Sequence, residues 1–118
     1  MIAVTAKGEG PKSNLDSRFG RCEYIVMYDL NTETYSAQNN PSKTSSGGAG
    51  VSTAQLLSEL KVTTLITGNV GPKAMRALKA ADIEVFTSSG GTVEEVIKLY
   101  QKGKLQQVME ATVKEGRR

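Results

Sequence analysis

Apolar positions alternate over residues 1–6, around Ile2 and Val4, and this period of two predicts a short strand that ends in Lys7-Gly8-Glu9-Gly10-Pro11. Residues 24–28, Tyr-Ile-Val-Met-Tyr, form the densest run of β-formers. Asn31-Thr32 separates them from a weaker strand over residues 34–38, so the two predict a hairpin. A polar loop over 39–48 follows, and then Val51, Ala54, Leu57 and Leu60 recur at helical spacing. Residues 62–67 return to the strand pattern. Pro72 suits the first turn of a second helix, because its missing N–H has no partner there, and Ala74, Met75, Leu78 and Ala81 supply that helix's buried stripe. Residues 83–86 predict another strand. Thr92 and Glu95 have the spacing of a capping box for a last helix lined by Val93, Val96, Ile97 and Tyr100, with Gly103 as its terminator.

The resulting order, β-β-β-α-β-α-β-α, is that of an α/β protein with a five-stranded mixed sheet, and it suggests a ribonuclease H-like, three-layer α/β/α topology. One domain is expected over residues 1–105, with residues 106–118 as a C-terminal tail from which Val108 and Met109, after Leu105, are placed to pack back. A chain of 118 residues with 38% apolar content sustains one modest core, and with no Trp and two Phe that core must be aliphatic. Strands joined through helices share one direction, so the loops over 7–22, 39–48, 68–71 and 87–92 are expected at one sheet edge. Three of the four lead into helix N-termini, whose unpaired N–H groups favour negative charge.

Charge and reactive side chains narrow the chemistry. A net charge of +3 is too small to argue for nucleic acid, and no stretch approaches the roughly 20 apolar residues that span a bilayer. The single cysteine excludes an internal disulfide and a Cys-x-x-Cys metal site; with no basic leader before an apolar run, a cytoplasmic location is expected. The absence of histidine removes Ser-His and Cys-His nucleophile pairs and histidine-based zinc sites, so no enzymatic activity is expected. The first strand carries no acid, which disfavours a two-metal nuclease. Gly68-Asn69-Val70-Gly71-Pro72 lacks the Gly-Lys-Ser/Thr ending of a phosphate-binding P-loop. What stands out is Asp16-Ser17-Arg18-Phe19-Gly20-Arg21-Cys22, with two guanidinium groups and a thiol on one loop. Cations favour a thiolate and attract anions, so this loop reads as a site for an anionic ligand, a metal-containing one included. Taken singly, Cys22 also reads as a small buried hydrophobe and the arginines as solvated charges.

The segments Arg18 to Asp29, Asn39-Asn40-Pro41, Gly48-Ala49-Gly50-Val51, Gly68 to Ala74 and Tyr100 to Leu105 occur in an order that resembles the dinitrogenase iron-molybdenum cofactor biosynthesis family, which includes NifX, NafY and the C-terminal domain of NifB. The resemblance covers residues 1 to about 105 and implies a ribonuclease H-like domain that binds, carries or stores an anionic iron-sulfur or iron-molybdenum cluster without catalysing a reaction. It implies cluster contacts at Arg18, Phe19, Gly20, Arg21, Cys22, Gly48, Ala49, Gly50, Asn69 and Gly71, and a cofactor-donor or acceptor protein as partner. Members that bind cluster commonly carry His before Phe-Gly and another His in the loop matching residues 42–48. Here Arg18 takes the first place and the loop has none, so charge pairing is expected at Arg18 and Cys22 is left as the soft ligand. A metal-free module that senses a small anion or docks an acidic partner segment is the alternative. A monomer is expected.

Overall fold

The computed structural model describes residues 1–113. Its elements are β1 (Ile2–Ala6), β2 (Tyr24–Asp29), β3 (Thr34–Asn39), a 3-10 turn (Pro41–Thr44), α1 (Ala49–Glu59), β4 (Thr64–Thr67), α2 (Pro72–Ala80), β5 (Glu84–Thr87), α3 (Val93–Gln101) and β6 (Gln106–Val108). The strands form one sheet in the order β3-β2-β1-β4-β5-β6. β1, β4 and β5 run parallel, β2 is antiparallel to β1, β3 to β2, and β6 to β5.

Side chains alternate across the sheet, and each face finds its own cover. Ala3, Ile25, Met27, Leu65 and Val85 pack against Ala54 and Leu57 of α1 and Ala74, Met75 and Leu78 of α2. On the opposite face, Ile2, Val4, Ala6, Val26 and Ile66 meet Val93, Val96 and Ile97 of α3. The layers are therefore helix pair, sheet, single helix. Central β1 is buried along its whole length, as a strand covered on both faces must be. Burying each of the fully enclosed side chains, such as Leu57 or Ile66, contributes about 1.5–3 kcal/mol.

The sheet has six strands, which corrects the expected five. Residues Gln106–Val108 pair with β5 although Gln106 and Gln107 are polar and exposed, so pairing rather than an apolar pattern makes this strand. Leu105 and Val108 pack on the two cores, whereas Met109 is left 62% exposed. Residues 114–118 of the expected tail lie outside the described residues. No helix among the described residues is long and apolar enough to cross a membrane.

Helix ends match their sequence signals unevenly. The Thr92–Glu95 capping box is present, and Gly103 closes α3 with φ +70°. At the ends of α1 and α2 the same left-handed position is filled by Lys61 and Asp82, at φ 65° and 58°. Their N–H groups bond the carbonyls of Ser58 and Lys79, and the next residues, Val62 and Ile83, reach back to Leu57 and Leu78.

Candidate functional site

Parallel β1, β4 and β5 end at the same side of the sheet, where β2 begins and β3 finishes, so the four expected loops do meet along one edge. Isolated bridges fasten them: Ala6 to Leu15, Asn14 to Thr92, and Arg18 to Asn69. The last of these brings the arginine loop against the turn before α2. There the Asn69 N–H donates to the Ser17 carbonyl at 2.8 Å, and the Phe19 N–H to the Asn69 carbonyl at 3.3 Å. Gly68 permits this approach, since a Cβ there would lie 2.6 Å from Ser17 Cα.

Two buried polar side chains organise the loop from within. Asp16, 1% exposed, accepts from the Arg18 N–H and Nε through Oδ1, and from Arg18 Nη2 and the Glu23 N–H through Oδ2, at 3.0–3.2 Å. Burial pushes this carboxyl's pKa up, but the Arg18 side chain, aided by the two backbone N–H groups, outweighs it and holds the group below its usual value. Asn40 is fully buried at the start of the 3-10 turn. Its Nδ2 donates to the carbonyls of Gly20 at 3.0 Å and Cys22 at 3.1 Å, while its Oδ1 accepts from the Ser42 N–H and from Thr53 Oγ1 of α1. One amide thus joins the arginine loop, the 3-10 turn and α1.

The start of α1 docks closely on the same loop. A Cβ on Gly20 would lie 2.6 Å from the Gly50 nitrogen, and one on Gly50 would lie 2.9 Å from Ala74 Cβ of α2. Gly20 and Gly50 are therefore packing glycines that bring loop, α1 and α2 together, and the Gly50 amide is covered by Gly20. Gly48 caps α1 at φ +70°, exposed and with no side-chain cap; Ala49 behind it is buried. At the start of α2, Asn69 is exposed and Gly71 has open space around its Cα. The hydroxyl of Thr112 accepts from the neighbouring Val70 N–H at 2.7 Å, so the segment after β6 borders this turn.

The predicted charges and the predicted ligand are not brought together. Arg18 is exposed but forked onto Asp16, with Glu23 at 4.0 Å. Arg21 is exposed and its Nη1 donates to the carbonyls of Lys43 at 3.0 Å and Ser45 at 2.8 Å, which secures the 39–48 loop. Phe19 is buried at 2% exposure and anchors the loop rather than lining its surface. Cys22, expected to be a surface ligand activated by the arginines, has no exposure and packs in the core beside Ile25 and Met27. Burial is the main cause that pushes its thiol up to about 12, and the nearby Asp16 carboxylate adds to it; Arg18 opposes only weakly. The sulfur is a protonated core group, with Asn40 Nδ2 at 3.5 Å. Among the described residues no three His, Cys, Asp or Glu side chains gather as a metal site.

What this edge offers is positive charge and hydrogen-bond donors. Arg18, Arg21, Lys43 and Lys73 stand there against Asp16 and Glu23, with Lys73 in the first turn of α2. The arrangement suits an anion bound through charge and N–H groups. Shallow concavities lie elsewhere, one of about 480 Å³ between α2 and β5–β6 and one of about 340 Å³ beside α3. Sequence reasoning overlooked the organising roles of Asp16 and Asn40. The available signals were an Asp two residues before Arg18, suited to a turn closed by its own carboxylate, and an Asn directly before Pro41, suited to a cap.

Comparison with known proteins places this geometry. Residues 1–103 match the family described as dinitrogenase iron-molybdenum cofactor. The apo form of the orange protein from Desulfovibrio gigas is 37% identical, with 95% of each chain covered and a TM-score of 0.92. A Thermotoga protein proposed as a NifB and belonging to the DUF35 family is 33% identical, with 98% of this chain and 97% of that one covered and a TM-score of 0.85. An uncharacterized protein from Methanocaldococcus jannaschii is 31% identical over 97 residues, which is 80% of this chain and 82% of the relative.

Proposed function

Since the chain belongs to the dinitrogenase iron-molybdenum cofactor family, we propose that it binds and carries a preassembled anionic metal-sulfur cluster, iron-sulfur or iron-molybdenum, as cargo and without catalysis. The observation that supports this most is the meeting of Arg18, Arg21 and the starts of α1 and α2 on one sheet edge. A cluster that brings its own sulfides needs charge compensation and N–H donors more than protein ligands, and this edge provides both. Cys22 is not assigned a ligand role, because a sealed thiol of raised pKa offers no thiolate. The strand order β3-β2-β1-β4-β5 supports the ribonuclease H-like assignment, and transfer to or from a donor or acceptor protein in the cytoplasm completes the reading.

Anaerobic incubation with a preassembled cluster, followed by gel filtration, metal analysis and visible spectroscopy, tests this. The parent protein and Cys22→Ala retain colour and metal, while Arg21→Glu loses most of both. Retention that vanishes with Cys22→Ala and survives Arg21→Glu overturns the assignment. The second reading, a metal-free module for a small anion or an acidic segment, is favoured by the same sealed thiol. It predicts a colourless protein after incubation.

A further inference from the structure

β3 forms one border of the sheet, and β6 forms the other. β6 is three residues long and follows Lys104, the kind of short, charge-flanked edge that resists further pairing. β3 is twice as long, and although Glu33 precedes it, its own residues carry no such protection. Thr34–Asn39 contains no charged residue and no proline, every residue pairs with β2 in unbroken register, and all but Gln38 are exposed.

The register identifies which backbone groups of β3 are unpaired among the described residues. Facing residues of an antiparallel ladder alternate between bonded and non-bonded pairs. The Asn40 N–H donates to the Glu23 carbonyl at 3.1 Å, one step beyond the Tyr24–Asn39 pair. Gln38, Ser36 and Thr34 therefore bond inward to β2, and Tyr35, Ala37 and Asn39 direct N–H and C=O outward from the sheet.

We infer that β3 is a docking edge for a second copy of this chain, paired antiparallel about a two-fold axis through Ala37. This register sets Tyr35 opposite Asn39 of the second copy and Ala37 opposite itself, so all three outward residues donate and accept. The alanine at the axis presents the smallest side chain of the strand where the copies meet. Charge selects a second copy in this direction. The hairpin end carries Asp29 and Glu33 with no basic residue over 29–34, whereas the other end carries Arg21 and Lys43 with Glu23. Antiparallel pairing places each acidic end beside the other copy's basic end, and parallel pairing would set like against like. The half-buried Tyr28 and exposed Tyr35 rings, centroids 4.8 Å apart, then lie alongside the joint. The two arginine edges fall at opposite ends of the joined sheet. This inference departs from the expected monomer and stands independently of what the arginine edge binds.

Sedimentation equilibrium from micromolar to millimolar protein tests it, with amide hydrogen exchange at both extremes. The expected mass rises with concentration from the 12.6 kDa protomer towards twice that value, less so at high salt. Amides of Tyr35, Ala37 and Asn39 gain protection as it rises, while those of Ser36 and Gln38 are protected throughout. Ala37→Pro removes an outward N–H and leaves the β2 ladder intact, so it abolishes the dimer while the circular dichroism spectrum is unchanged. A protomer mass at every concentration overturns the inference, as does a dimer that survives Ala37→Pro. If that variant fails to fold, exchange at the three outward amides decides alone, and protection independent of concentration overturns it.

Discussion

At Cys22 two guanidinium groups lie within five residues, yet the thiol stays protonated because desolvation acts on the sulfur directly while the arginine charges face water. Its folded pKa is raised, so its contribution to stability is complete below the ordinary thiol value near 9 and is lost as pH rises from there towards about 12. Urea midpoints of parent and Cys22→Ala should therefore converge over that range, and the parent thiol should react with a disulfide reagent only as fast as the protein opens. Asn40 carries the larger structural load. Asn40→Ala leaves the Cys22 carbonyl without that donor, while the Gly20 carbonyl keeps Thr53 Oγ1 at 3.1 Å, and is expected to cost about 1–3 kcal/mol in urea unfolding, the cost of a buried polar group left unpaired. The buried reading of Cys22 stood in the sequence beside the ligand reading with nothing to decide between them, and Asn40's role was not anticipated. Residue type and spacing place a thiol beside arginines on the chain, but whether its sulfur faces water depends on which way β2 and its approach turn once α1 and the 3-10 turn close over them.

At the scale of elements, the contact between α1 and α2 depends on a missing Cβ. Gly50→Ala would put that atom 2.9 Å from Ala74 Cβ, on two helices already packed against Leu57 and Leu78, so the pair must move apart. Overpacking of this kind costs about 1–3 kcal/mol, and the melting temperature should fall accordingly. Cluster retention should fall too, because the start of α1 also positions the arginine loop through Gly20. Apolar periodicity located the helices and four of the longer strands because each has one or both faces in a core; β3, exposed except at Gln38, was legible only from the Asn31-Thr32 turn that pairs it with β2. Periodicity failed for β6, whose Gln106 and Gln107 bury nothing and owe their conformation to β5. It also gave no warning that Lys61 and Asp82, rather than glycine, would take the left-handed positions ending α1 and α2.

For the whole molecule, parallel β1, β4 and β5 place every strand-to-helix turn at the same sheet edge, and antiparallel β2 and β3 return the arginine loop and the 39–48 loop to it. That convergence was legible from element order alone, because parallel connections leave the chain little choice of direction. The internal wiring was not, since it depends on Asp16 and Asn40 bonding to main-chain groups distant in sequence or hidden by folding. The consequence is a positively biased edge whose arginines are exposed and whose sulfur is not. Metal retained by Cys22→Ala, compared with Arg21→Glu after anaerobic loading with a preassembled cluster, tests this most directly. Metal content equal to the parent in Cys22→Ala and largely lost in Arg21→Glu is the predicted result; loss in Cys22→Ala with full retention in Arg21→Glu would contradict it.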